Sequence, residues 1–273
     1  MARVVGKAPS AAVVAALAPT GTLRAAINMS NFLLVTDKTP EGLPIGVSAS
    51  LAAHVAARLG VPLKLLPYAN PPALCDAAGP GESEWDIGNI GADPLRGEFI
   101  NFTAPYCEIE STVLLPPGSG VHTFADLDKP GTRIVTAKGG AYSLWLERNV
   151  RHATLVQETG AAVKERFVAE GLDAMAGLRP ALVNDELLSD GYTLMPGHYG
   201  MVEQATGIPK AKGQEAFAWL REWIEEVKEN GLVPTPVDMY CLSLCVCALP
   251  PTPTTTTQTH SRFCVSLCVC LFV

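Results

Sequence analysis

Two separate alternations of strand and helix signatures predict an α/β fold. In the first, residues 22–28 (TLRAAIN) read as a short strand. Residues 47–59 then carry apolar side chains at helical spacing, and 61–67 read as the next strand. Strand–helix–strand in immediate succession is the mark of a parallel layer. The second alternation starts at 132 and repeats the pattern through 195. A third observation is the segment 214–230, a strongly amphipathic helix carrying Phe217, Trp219, Leu220, Trp223 and Val227 on one face.

Element by element, Arg3 and Lys7 precede an Ala/Val segment at 11–18 that faintly resembles a short secretory signal. That segment is only weakly apolar and runs straight into Pro19, so it reads as a short helix leading into the first strand, and the compartment stays open. Gly42 and Gly46 bracket a turn, and Gly60 stops the helix that follows. A polar, glycine-rich interval at 76–84 leads to a short strand at 85–90. Residues 113–119 read as a strand ending in a Pro116-Pro117 linker. Beyond it come a strand at 132–137, a helix at 141–149 opening after Gly139-Gly140, and a strand at 154–157. A helix at 161–170, a strand at 172–176, a helix at 180–188 and a strand at 192–195 complete the run. Gly231 ends the last helix.

Charge excludes some functions. The 273-residue chain carries net charge −7 with pI ≈ 5.3, which argues against a nucleic-acid partner held by a general basic field. Apolar stretches are broken by charge or proline well before the ~20 residues of a membrane span, so no membrane insertion is expected. No G-x-S-x-G, H-E-x-x-H or Walker A pattern is present, and no cofactor or resident metal is expected. Most of the cysteines fall in 241–273, where Cys241-Leu-Ser-Leu-Cys-Val-Cys247 returns as Cys264-Val-Ser-Leu-Cys-Val-Cys270 around the threonine-rich stretch 250–259. The spacing suits neither a zinc tetrahedron nor a disulfide framework well. The more economical reading is translated low-complexity DNA outside the fold. Cys75 and Cys107 remain in the body of the chain, and their pairing is not favoured.

The stretch Trp85-Asp-Ile, Gly91-Ala-Asp-Pro-Leu-Arg96 and Ile100-Asn-Phe-Thr-Ala-Pro-Tyr106 resembles the signature of family 3 extracellular solute-binding proteins. Those are periplasmic amino-acid-binding components of ABC transporters. Gly21-Thr-Leu-Arg24, Gly42-x-Pro44-x-Gly46, Asp126-Leu-Asp128 and Gly139-Gly-Ala-Tyr142 resemble further family elements, in the family's order. The resemblance implies a two-lobe periplasmic-binding-protein-like (type II) fold with a ligand cleft. Lobe one would take 20–115 completed by 201–240, and lobe two 116–200. Residues 1–19 would be an extension, and 241–273 would lie outside the fold. Crossovers are expected near 115–117 and 196–198, with closure by hinge motion. An ABC transporter permease is the implied partner, and the periplasm the compartment by analogy.

The resemblance also nominates a site. Arg96 matches the arginine that holds the ligand carboxylate, for which a planar guanidinium fork is suited. Asn89, Gly91 and Asp93 are expected in the loop before it. Asp93 departs from the family's usual threonine and would repel a carboxylate unless paired; it serves equally as a helix cap. Gly140, Ala141 and Tyr142 sit at a strand-to-helix turn whose N–H groups can face an anion. Where the family commonly places an acid for the ligand's amino group stands Leu178, with Arg179 beside it as a candidate for an acidic ligand. Asn31 and Phe32 follow the first strand, Phe32 either as an aromatic wall or as a plug in the lobe core. The function implied is capture of a small carboxylate-bearing solute, an amino acid or organic acid, by an ABC-transporter binding component or an orphan relative. The alternatives are a cyclohexadienyl-dehydratase-like enzyme with Asp93 or Glu203 as general acid, and a degenerate member that no longer binds.

Overall fold

A computed structural model describes residues 8–79, 83–160 and 162–231. The tail at 241–273 and its cysteines lie outside the described residues. The first helix, α1 (Ala11–Leu17), is capped by Ser10, whose hydroxyl accepts the Val13 N–H. It buries Val13 and Leu17, and Ser10 donates to Glu215 across to the last described helix. Strand β1 (Leu23–Asn28) follows. A two-residue hairpin, β2 (Asp37–Lys38) with β3 (Pro44–Ile45), then delivers the chain to α2 (Val47–Leu59). Gly60 ends α2 in the left-handed conformation at φ 70°, as its position after the last apolar residue led us to expect.

Strand β4 (Leu63–Tyr68), helix α3 (Pro71–Asp76), β5 (Ile87–Gly91), a 3₁₀ turn at Arg96–Glu98 and β6 (Ile100–Phe102) complete the first run. Here β4, β1 and β5 lie side by side and parallel, so their carboxyl ends share one edge. Trp85 fills one face of this layer with Leu74, Ile90 and Ile100, and its indole N–H donates to the Leu74 carbonyl at 3.0 Å. That bond satisfies the polar edge of a fully buried aromatic.

Strand β7 (Cys107–Leu115) is longer than its apolar stretch at 113–115 suggests. It leads through α4 (Phe124–Leu127) to β8 (Arg133–Ala137), α5 (Ala141–Asn149), β9 (Thr154–Glu158), α6 (Val163–Ala169), β10 (Ala174–Leu178) and α7 (Arg179–Leu182). The helix expected over 180–188 is divided: α7 stops early, and Asp185 caps a separate 3₁₀ turn at Glu186–Asp190. The chain returns through β11 (Thr193–Leu194) and β12 (Gly200–Pro209) to α8 (Gln214–Glu229).

All strands except β2 and β3 join one sheet in the order β4-β1-β5-β12-β7-β10-β8-β9, with β6 on β12 and β11 on β7. The two lobes are therefore joined by a ribbon. From Cys107 to Ser111, β7 pairs with β12; from Ser111 onward it pairs with β10. The pairing changes at Ser111, earlier than the crossover expected at 115–117, because β7 continues as a lobe-two strand to Leu115. Alternation along β7 sends Val113 to the core beneath α5 and Leu114 to the core beneath α6, so the second lobe is covered on both faces. Cys75 and Cys107 are both buried and free. No helix among the described residues is long and apolar enough to cross a membrane.

Candidate functional site

In each lobe the parallel strands aim their carboxyl ends toward the other lobe, which is where ligands bind in open α/β sheets. Asn31 and Phe32 follow β1, Asp93 and Arg96 follow β5, Gly140–Tyr142 follow β8, and Arg179 follows β10.

Arg96 is 4% exposed. One terminal nitrogen donates to the Gly91 carbonyl of its own lobe, and Nη2 donates to the Gly139 carbonyl of the other lobe at 2.8 Å. Among the described residues no carboxylate lies within ion-pair distance of it. Burial lowers its proton affinity from the ordinary arginine value; the nearby Arg148 acts in the same direction, and Cys75 and Asp93 oppose it. A guanidinium at these surroundings stays charged. The result is a buried cation whose hydrogen-bond partners among the described residues are neutral carbonyls, an arrangement that costs free energy unless an anion arrives. Burial also raises the Cys75 thiol, with Arg96 pulling it back.

Asp93 resolves differently from either expectation taken alone. Its Oδ1 accepts the Leu95 N–H at 2.9 Å, the capping role. Its Oδ2 lies 2.7 Å from Nη1 of Arg148, which reaches over from α5 of the second lobe. The carboxylate that would repel an anionic ligand is thus neutralised by a residue the sequence reading did not single out. Arg148 sits in the last turn of an ordinary-looking helix, and only the fold brings it to Asp93.

Gly91, whose carbonyl accepts from Arg96, has no room for a side chain. A side chain there would meet Val202 at 2.9 Å and Ala141 at 3.1 Å, so lobe two touches lobe one at this point. Gly139 faces Pro72 in the same way: at φ 72°, an added Cβ would sit 2.4 Å from the proline ring. Gly140 caps α5 from an extended conformation, and Ala141 supplies the contact with Gly91. Tyr142 turns inward onto the second lobe's core, where burial raises its phenol to about 12.

Asn89 lies within β5 rather than in the loop expected for it. Its amide donates to the Ser48 carbonyl at 3.0 Å and accepts from the Thr206 hydroxyl at 2.8 Å, which ties β5 to α2 and β12. Asn31 folds back to accept the Leu33 N–H, and Phe32 is 44% exposed rather than plugged into the core. Arg179 is held between the crossovers, with Nε on Glu110 of β7 and Nη2 on the Gly197 carbonyl; His198 lies 3.6 Å from the same glutamate. Glu203 is exposed on the opposite face of β12 from the buried Val202 and Gln204. Gln204 pairs with Gly91 across the ladder and is 3% exposed, and its Oε1 has no hydrogen-bond partner among the described residues. The sequence gives little notice of Gln204, because β12 lacks the apolar run that marks a buried strand.

Elsewhere, a groove of about 740 Å³ opens between 102–104 and α8, where Arg221 lies over the Phe217 ring at 5.8 Å; it shares none of the residues above. Among the described residues no three His, Cys, Asp or Glu side chains converge to hold a metal.

Solved structures share this architecture. An amino acid ABC transporter substrate-binding protein from Streptococcus pneumoniae, bound to L-arginine, superposes with a TM-score of 0.64 at 18% identity, covering 84% of this chain and 98% of its own. An ancestral amino acid-binding protein described as a precursor of cyclohexadienyl dehydratase gives 0.63 at 20% identity, covering 83% and 97%. A putative ABC-transporter binding component from Wolinella succinogenes, complexed with lysine, gives 0.63 at 22% identity, covering 81% and 94%. At such identities the likeness shows the fold. No curated protein matches the sequence. The profile of bacterial extracellular solute-binding proteins, family 3, matches residues 24–240, and the chain belongs to that family.

Proposed function

We propose that this chain captures a small carboxylate-bearing solute, an amino acid or organic acid, between its lobes, as the binding component of an ABC transporter or as an orphan relative. The observation that carries the reading is Arg96: a buried guanidinium at the carboxyl end of β5, bonded to carbonyls from both lobes and lacking a carboxylate within ion-pair distance among the described residues. An entering carboxylate would supply the missing countercharge, and its two oxygens match the fork. Its arrival would exchange the neutral Gly139 carbonyl for an anionic acceptor and so give the buried guanidinium a countercharge. Gln204 Oε1, buried directly across the ladder from Gly91, offers an acceptor for an N–H of the same solute. Arginine and lysine bound to similarly folded proteins support amino acids as the first class to test.

A thermal-shift screen of the full chain against amino acids and small organic acids tests this directly. A solute present at 100 times its Kd stabilises the folded state by about 2.7 kcal/mol, enough to move the melting temperature measurably. We expect at least one carboxylate to shift the melt, and its primary-amide analogue not to. A panel with no stabilising carboxylate would remove the reading.

A further inference from the structure

We propose that Arg148 is an internal counter-ion: it closes the cleft in the absence of solute and occupies the cation subsite at Asp93, and so sets the charge class the site accepts. The choice of solute rests on the carboxylate-binding reading above; the closure does not.

The Asp93 side chain is 2% exposed, and Arg148 is 34% exposed. A buried carboxylate of lobe one is therefore met by a long side chain anchored on lobe two, with 2.7 Å between charged atoms. Breaking such a pair by removing one partner leaves a buried charge without compensation. The pair does not act alone. Arg96 donates to Gly139 across the same seam, Gly139 abuts Pro72, and Ala141 abuts the Cα of Gly91. These contacts come from both ends of the turn that opens α5. The lobes meet through protein groups, the charge pair among them.

A guanidinium at Asp93 has the chemistry of a cationic solute side chain delivered from solution. Arg148 fills that position intramolecularly, at the high effective concentration a tethered group enjoys. A cationic ligand must displace it, and its apparent affinity falls by the fraction of molecules in which Asp93 is free. An anion at Arg96 displaces only a neutral carbonyl, that of Gly139. The wild-type cleft is thereby biased toward carboxylates without a cationic side chain.

The test uses the full chain and its Arg148→Met and Arg148→Gln variants. Solution scattering without solute reads closure: both variants are expected to show a larger radius of gyration than wild type. Calorimetric titration with lysine and arginine reads the subsite: both variants are expected to bind them about tenfold or more tightly than wild type, and adding Asp93→Asn is expected to abolish the gain. Scattering profiles of both variants identical to wild type would overturn the latch. Lysine and arginine binding to wild type as tightly as to the variants would overturn the occupied subsite. Failure of carboxylates to bind through Arg96 would sink the solute reading and leave the scattering result standing, so the two are separable.

Discussion

The two ends of β5 hold buried charge in opposite ways. Just before the strand, Asp86 is completely enclosed; it accepts the Arg24 backbone N–H at 2.8 Å and the side-chain Nε and Nη2 of Arg24, and Lys212 closes the remaining side. Just after the strand, Arg96 is almost as deeply buried but is met by carbonyls. The first arrangement is complete within lobe one and joins β1, β5 and the 3₁₀ turn at Lys210–Lys212. The second is complete only when the other lobe, or a solute, takes part. A satisfied buried charge specifies structure, and an unsatisfied one at the carboxyl edge of a parallel layer marks a place for a ligand.

Substitutions at the two ends should therefore separate stability from binding. The largest effect is expected for Asp86→Ala, which leaves the half-buried cations of Arg24 and Lys212 without this carboxylate: a loss of about 3 kcal/mol of folding stability, measured by urea titration. Arg96→Met should behave in the reverse sense. It removes a costly buried cation, so folding stability should change by less than about 1 kcal/mol, while solute affinity falls by about 1.5–3 kcal/mol. Equal stability losses at both ends would erase the contrast.

Gly139→Ala probes the seam next. The new methyl would collide with Pro72, and the left-handed backbone disfavours any side chain. Solute affinity should drop by about tenfold, through closure rather than contact, with folding stability lowered by about 1–2 kcal/mol by the strained backbone. A variant that closes normally by scattering would show that the 139–72 approach is incidental.

The smallest effect concerns lobe one alone. His54 accepts the Trp223 indole N–H on Nδ1 at 2.8 Å, which requires that nitrogen to be unprotonated. Burial and then Arg58 lower its pKa below the usual 6.5, against Glu226. A depressed histidine contributes stability that is present above pH 6.5 and is lost as pH falls through the folded value. The melting temperature should decline from about pH 7 to about pH 5 more steeply in wild type than in His54→Gln. Parallel curves would remove the linkage.

Much of this fold was legible because local signals agreed. The helices at Val47–Leu59 and Ala141–Asn149 have glycine at their boundaries and apolar residues at helical spacing, and both span the residues read from the sequence. Strand β12 was not legible: Gly200–Pro209 mixes glutamate, glutamine and glycine, and its strand state is set by β5, β6 and β7 rather than by propensity. The division of the helix after 179 likewise depends on Asn184 and Asp185, whose side chains bond locally and end the turn. At the site, Arg96 was visible through a family pattern. Arg148 was not, because the significance of a surface-type arginine lies in a partner that only the closed fold supplies. Asn89 was illegible in the same way, because the partners that draw its amide into the lobe interior, Ser48 and Thr206, are distant in sequence.

The central claim is that Arg96 receives a carboxylate. The direct measurement is isothermal titration of wild type and Arg96→Met with the carboxylate that gives the largest thermal shift, alongside its primary amide. The account predicts that wild type prefers the acid to the amide by about tenfold or more, and that Arg96→Met loses this preference and binds both weakly. Undiminished preference for the acid in Arg96→Met would contradict it.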